Sequence, residues 1–127
     1  MSEQAQGVIA HLVVNDAAAA LEYYKKALGA SEVMRVPAED GKRLMHSEIL
    51  VNGARVFVRD DFPEYNEQCG AGQVLPPKTA KTTTVTLHLE VADCDAAFER
   101  ATAAGATVLM PPMDAFWGAR YGAVIDT

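Results

Sequence analysis

The stretch AHLVVNDAAAALEYY, residues 10–24, returns in altered form as LHLEVADCDAAFERA, residues 87–101. His88 lies 77 residues after His11, Asp93 lies 77 after Asp16, and Glu99 lies 77 after Glu22. Between His11 and Glu22, seven of twelve positions match their partners, where chance at this composition would match roughly one in twelve. Gly29-Ala30 then answers to Gly105-Ala106 after a one-residue deletion. The sequence therefore reads as an internal duplication.

Each copy has the same local grammar. The β-branched run from about Val8 to Val14 predicts a buried strand, and Asn15 or Asp16 offers a helix N-cap. Ala17, Ala20, Leu21, Tyr24 and Leu28 follow at helical spacing, and Gly29 suits the left-handed position beyond the last turn. In the second copy Asp93 is the cap, with Ala97, Phe98, Ala101 and Ala104 as the apolar face. Strands are predicted at 31–36, 44–51 and 55–59, with Asn52-Gly53 as a tight hairpin turn, and again at 107–110 and 121–125. The resulting α+β order is a first βαβββ module over residues 1–63, a Pro- and Gly-rich linker over 64–83, and a second module over 84–127 whose last strand is missing.

Composition narrows the function classes. The chain has 127 residues, half of them hydrophobic, and a formal net charge of −6. Lys and Arg never cluster beyond a pair, which argues against a nucleic-acid partner and against anionic lipid. The first residues lack the basic and apolar runs of a signal or a membrane span. Two cysteines, Cys69 and Cys94, make no disulfide framework, so a reduced cytoplasm is the expected setting.

Side-chain alternation places the chemistry. In residues 84–91, Val85, Leu87, Leu89 and Val91 point one way and Thr84, Thr86, His88 and Glu90 the other. The apolar row must pack on the helices, so the polar row faces away from them. By the repeat, His11 shares that helix-distal side, and so do His46, Glu48 and Phe57. A curved sheet with helices outside and a mixed inner face describes a cup suited to a small molecule. Trp117 and Arg120 are expected at its mouth, one to stack and the other to read the anionic end of an acidic or zwitterionic guest. The bland alternatives are that each histidine packs and bonds a neighbour, and that Arg120 pairs with an acidic residue such as Asp114. Arg55 and Arg59 read as solvated or paired residues of an edge strand, and Cys94 as structural.

The duplicated strand, V-x-D, helix and GA unit, with EYYKKALGA closing the first helix, resembles the vicinal-oxygen-chelate superfamily of glyoxalase, bleomycin-resistance and extradiol-dioxygenase proteins. Residues 43–64 and 85–122 resemble its PhnB-like branch. The resemblance implies paired βαβββ modules forming half-open barrels, usually as homodimers, and a divalent metal in many members. It also implies where metal ligands would stand, and those places hold Ile9, Thr86 and Phe57, with the fourth beyond Thr127. Ile and Phe cannot coordinate a metal, so no cofactor is expected at the standard positions. The leading expectation is a small-molecule-binding protein. A lyase, isomerase or dioxygenase-type enzyme with relocated ligands His11, His46, Glu48 and His88 is the alternative, and a regulatory or interaction module is the third.

Overall fold

The computed structural model describes residues 7–64 and 74–127. Its elements run β1 (Ala10–Val14), α1 (Ala17–Leu28), β2 (Ser31–Pro37), β3 (Leu44–Val51), β4 (Ala54–Asp60), α2 (Pro77–Ala80), α3 (Cys94–Ala103), β5 (Thr107–Asp114) and β6 (Arg120–Ile125). Four strands form a mixed sheet in the order β1-β4-β3-β2, and β5 and β6 form a separate antiparallel pair. The fold is α+β.

Local chemistry explains the boundaries. Asp16 Oδ1 accepts from Ala19 N at 3.1 Å, and Asp93 Oδ1 accepts from Ala96 N at 3.0 Å, so both long helices start on the same aspartate cap. Gly29 ends α1 at φ 68, a conformation that a Cβ would strain. Asn52 (φ 49) and Gly53 (φ 83) make the predicted type I′ turn between β3 and β4. β5 runs through Pro111-Pro112 instead of ending at Met110; neither proline can donate to a ladder, and the register with β6 shifts between Met110 and Met113.

β4 is the centre of the arrangement. It pairs antiparallel with β3 and parallel with β1, with His11 opposite Phe57 and Val14 opposite Asp60. It is therefore an interior strand, which corrects the reading of Arg55 and Arg59 as edge-strand residues. One face, carrying Ser47, Ile49, Val51 and Val58, is buried together with Ala17, Leu21, Tyr24 and Ala27 of α1. At the end of β4 the buried carboxylate of Asp60 accepts from Ala17 N at 2.9 Å and from Leu44 N at 2.7 Å. It satisfies an otherwise orphan amide at the start of α1 and one at the start of β3. Beside it the buried Ser47 hydroxyl donates to Val58 O at 2.6 Å.

The halves meet through their helices. Arg100 Nε donates to Lys26 O at 2.7 Å and Arg100 Nη2 to Lys25 O at 3.3 Å, so α3 supplies donors to the carbonyls of the last turn of α1. Ala101 and Ala106 join the same apolar core as α1, and the Tyr24 hydroxyl donates to Asp126 Oδ2 at 2.7 Å. β5 and β6 touch α3 and not the four-stranded sheet.

Two expectations need correction. Residues 84–91 form no strand: they have no ladder partner among the described residues, and Val85, Leu87 and Val91 of the expected core-facing row are exposed. Alternation supplies a face, but a strand also needs a neighbour to take its backbone bonds. The expected linker also contains a one-turn helix, α2, which begins after Pro76 and packs near β1, where Asn15 Nδ2 donates to Thr79 Oγ1 at 3.2 Å. Residues 1–6, the part of the linker at 65–73, and Cys69 within it lie outside the described residues.

Replacing Asp60 by Ala leaves two buried backbone N–H groups without an acceptor. The expected loss of stability is about 2–4 kcal/mol, read as a lower midpoint in denaturant. Asp60→Asn, which keeps one acceptor oxygen, should cost less. Equal effects of the two variants would show that the two bonds to Asp60 do not carry this stability.

Candidate functional site

Strand parity sends His11 and Val13 of β1, Arg55, Phe57 and Arg59 of β4, and His46, Glu48 and Leu50 of β3 to the face opposite α1. Met34 and Val36 of β2 extend it, opposite Glu48 and His46 in register. Met34, Glu48, Phe57 and His11 thus form one row across all four strands.

Three rings occupy the middle of this face. His46 and Phe57 lie 4.7 Å apart between centroids at 71°, His11 and Phe57 5.7 Å apart at 89°, and His11 and His46 6.1 Å apart at 90°. All three pairs have the edge-on geometry that ring quadrupoles favour. Arg55 lies above Phe57, its guanidinium carbon 5.9 Å from the ring centroid, and its Nη1 is 3.9 Å from Glu48 Oε1. Arg59 flanks Phe57 on the other side along β4 and donates through Nη1 to Asp60 O at 3.0 Å. Partial burial lowers the pKa of His11, and the positive charge of Arg59 and the neighbouring His46 lower it further. The face is open to solvent: His11, Met34 and Val36 are exposed.

The predicted site residues divide into two groups. His11, His46, Glu48 and Phe57 come together as expected. His88, Trp117 and Arg120 stand on the β5–β6 side of α3, because α1 and α3 pack on each other and hold the two sheets apart. The expected cup between the sheets is not closed by β5 and β6 within one chain. His88 Nε2 is 2.6 Å from Glu90 Oε2, and its ring stacks on Tyr121 with centroids 6.4 Å apart. Trp117 is exposed, in edge contact with Phe116 at 4.9 Å and near Tyr121 at 6.4 Å. Arg120 bonds Asp95 Oδ1 through Nε at 3.0 Å and Asp114 Oδ1 through Nη1 at 3.3 Å, so its fork is engaged by two carboxylates. Arg55 and Arg59 are the residues of the face that sequence reasoning set aside. The signal available was their alternation with Val56 and Val58, which put them beside Phe57.

Of the positions where the resemblance would place metal ligands, Ile9 and Phe57 have no side-chain donor atom, and Thr86 is exposed on the unpaired segment. Among the described residues no three His, Cys, Asp or Glu side chains gather as a cluster able to hold a metal ion. Two concave pockets lie elsewhere. One, of about 240 Å³, is lined by Leu28, Asn52, Leu89, Ala96 and Arg100 at the junction of the halves. The other, of about 460 Å³, is lined by Glu39, Asp40, Arg43, Met45 and Glu64.

With the geometry in hand, comparison with known proteins settles the family. Residues 6–127 match the model of the Glyoxalase/Bleomycin resistance protein/Dioxygenase superfamily. The chain belongs to this superfamily. Uncharacterized proteins of Mycobacterium bovis and Mycobacterium tuberculosis are 48% identical to it over 116 residues, or 91% of this chain. The chain spans 73% of the first protein's length and 65% of the second's. Among solved structures, a glyoxalase-related enzyme from Fulvimarina pelagi superposes with a TM-score of 0.70 at 21% identity, over 96% of this chain and 81% of that one. A PhnB protein from Bacillus cereus gives 0.63 at 14%, over 95% and 92%. At these identities the likeness is one of fold. No helix among the described residues is long and apolar enough to cross a membrane.

A histidine-resolved NMR titration should place the midpoint of His11 below 6.5. Arg59→Gln should move it up only part of the way, since burial, the larger cause, remains. The stability this group contributes is then full above pH 6.5 and falls as pH drops from there towards the lowered folded value. An unshifted midpoint, or one indifferent to Arg59, would contradict this electrostatic picture.

Proposed function

We propose that the helix-distal face of the four-stranded sheet binds a small organic molecule, and that the protein is a binding member of its superfamily, of the PhnB-like kind, with no metal at the standard positions. The observation that carries this reading is the trio His11, His46 and Phe57, flanked by Arg55, Arg59 and Glu48 on a face that α1 and α3 do not cover. A sheet face whose only role was to meet water would not need two imidazoles and a phenyl ring in mutual contact between two guanidinium groups. The absence of donor atoms at Ile9 and Phe57 favours binding over metal chemistry. A relocated set of His11, His46, Glu48 and His88 is disfavoured by the partners of His88, which are Glu90 and Tyr121 on the other side of α3.

We also propose that residues 84–127 are a second copy of the first module, and that the protein works as a homodimer. The shared aspartate caps and the 77-residue offset support the first statement. The exposed apolar side chains of the second half support the other. Leu109 is 65% exposed, Trp117 63% and Phe116 98%, beside a stretch of backbone at 84–91 with no ladder partner among the described residues. Such a surface invites a partner, and a symmetric copy is the commonest one.

A panel of small organic acids, bases and neutral aromatics should contain compounds that raise the melting temperature, and Phe57→Ala should remove their effect. A panel in which every stabilising compound acts equally on Phe57→Ala would move the site away from this face. Light scattering at micromolar concentration should give twice the mass of one chain, and a monomer would contradict the dimer.

A further inference from the structure

The face proposed above carries an unbalanced charge. Of the six arginines, Arg35, Arg43, Arg55 and Arg120 each have a carboxylate within 4.0 Å. Arg100 is committed to two carbonyls at the end of α1. Arg59 differs from all of these: among the described residues no carboxylate lies within ion-pair distance, and its one hydrogen bond runs to Asp60 O, the carbonyl of the next residue. Yet the chain carries six more acidic than basic groups. An arginine left without a counter-ion on a half-buried sheet face, in so acidic a protein, offers a ready partner for an external anion.

Its neighbours restrict what that anion can be. Phe57 is two residues away on the same side of β4, so the phenyl ring and the guanidinium stem are separated by about 7 Å along the strand. Opposite Arg59 in register is Val13, which is buried, and beside Phe57 stand the edges of His11 and His46. The surface beside the cation is thus apolar and aromatic. On the far side of Phe57, Glu48 already meets Arg55, so a second anionic group there would face a carboxylate. The neighbouring His11 is held towards its neutral form, so it adds ring surface without a second full charge.

We propose that the molecule bound here is a flat aromatic monoanion, an arene carboxylate or a close analogue, with its ring across Phe57, His46 and His11 and its anionic end on Arg59. This rests on the binding-face reading above and adds the class of ligand to it. A guanidinium presents two parallel donors to a carboxylate, a geometry an ammonium or a neutral group cannot copy. The ring accounts for the aromatic trio, and the single charge for the single unpaired cation. Arg120, the anion reader expected from sequence, is already engaged by Asp95 and Asp114.

The test compares 2-naphthoate with its uncharged isostere 2-naphthamide by calorimetry on the full chain. Wild type should bind naphthoate at least tenfold more tightly than naphthamide. Arg59→Met should bring naphthoate down to the level of naphthamide, while Arg120→Met should leave the ratio unchanged. Arg59→Gln serves as a second variant, with the melting temperature as the check on folding. A ratio near one in wild type, a ratio untouched by either Arg59 variant, or a ratio abolished by Arg120→Met would overturn the ligand class. So would failure of both compounds to bind at millimolar concentration. The broader reading is separated by Phe57→Ala. If naphthamide binds that variant as well as it binds wild type, the face itself is wrong; if it loses affinity while the charge preference fails, only the ligand class is wrong.

Discussion

The buried carboxylate of Asp60 holds the first half of the protein together. β1 pairs parallel to β4, which requires the chain to leave the sheet, cross it as α1 and return through β2 and β3. Such a crossover leaves an unsatisfied amide where the helix starts, and the parallel strand places the last residue of β4 next to that amide. An aspartate there answers Ala17 N and, with its other oxygen, Leu44 N at the start of β3. One side chain therefore sets the distance between helix and sheet and the position from which β3 starts. The parity of every later residue on β3 and β4 follows, and with it the choice of which side chains face α1 and which face away.

That parity separates structure from function on one sheet. Val56, Val58, Ile49 and Ser47 belong to the core side, while Arg55, Phe57, Arg59, His46 and Glu48 alternate with them on the open side. A one-residue slip would send two arginines into the apolar core, so the pattern is strongly fixed. The packing of α1 against α3, clasped by Arg100 on the end of α1, then keeps β5 and β6 away from this face. The second half offers its own aromatic strip, Trp117, Tyr121 and His88, on its own side of the helices.

Much of this was legible in the sequence. The aspartate caps, Gly29, the Asn52-Gly53 turn and the grouping of His11, His46, Glu48 and Phe57 on one face all follow from local rules of period and capping. What could not be read was anything that depends on a neighbour far along the chain. Residues 84–91 have the alternation of a strand but no partner among the described residues. Arg55 and Arg59 looked like edge residues because the parallel addition of β1 leaves no local mark on β4. Arg120 read either as an anion reader or as a partner of Asp114; the second holds, and what the sequence did not mark is Asp95, which lies 25 residues earlier on another element. His88 was grouped with His11 by sequence similarity alone, and its partners are Glu90 and Tyr121 on the other side of α3.

The central claim is that small molecules bind on the open face that the parity of β4 creates. The most direct measurement is amide chemical-shift mapping of the isotopically labelled chain, titrated with whichever panel compound stabilises it most. Perturbations centred on His11, His46, Glu48, Phe57 and Arg59 are the predicted result. Perturbations centred instead on Leu28, Asn52, Ala96 and Arg100, the groove between the two halves, with the sheet face unmoved, would contradict it.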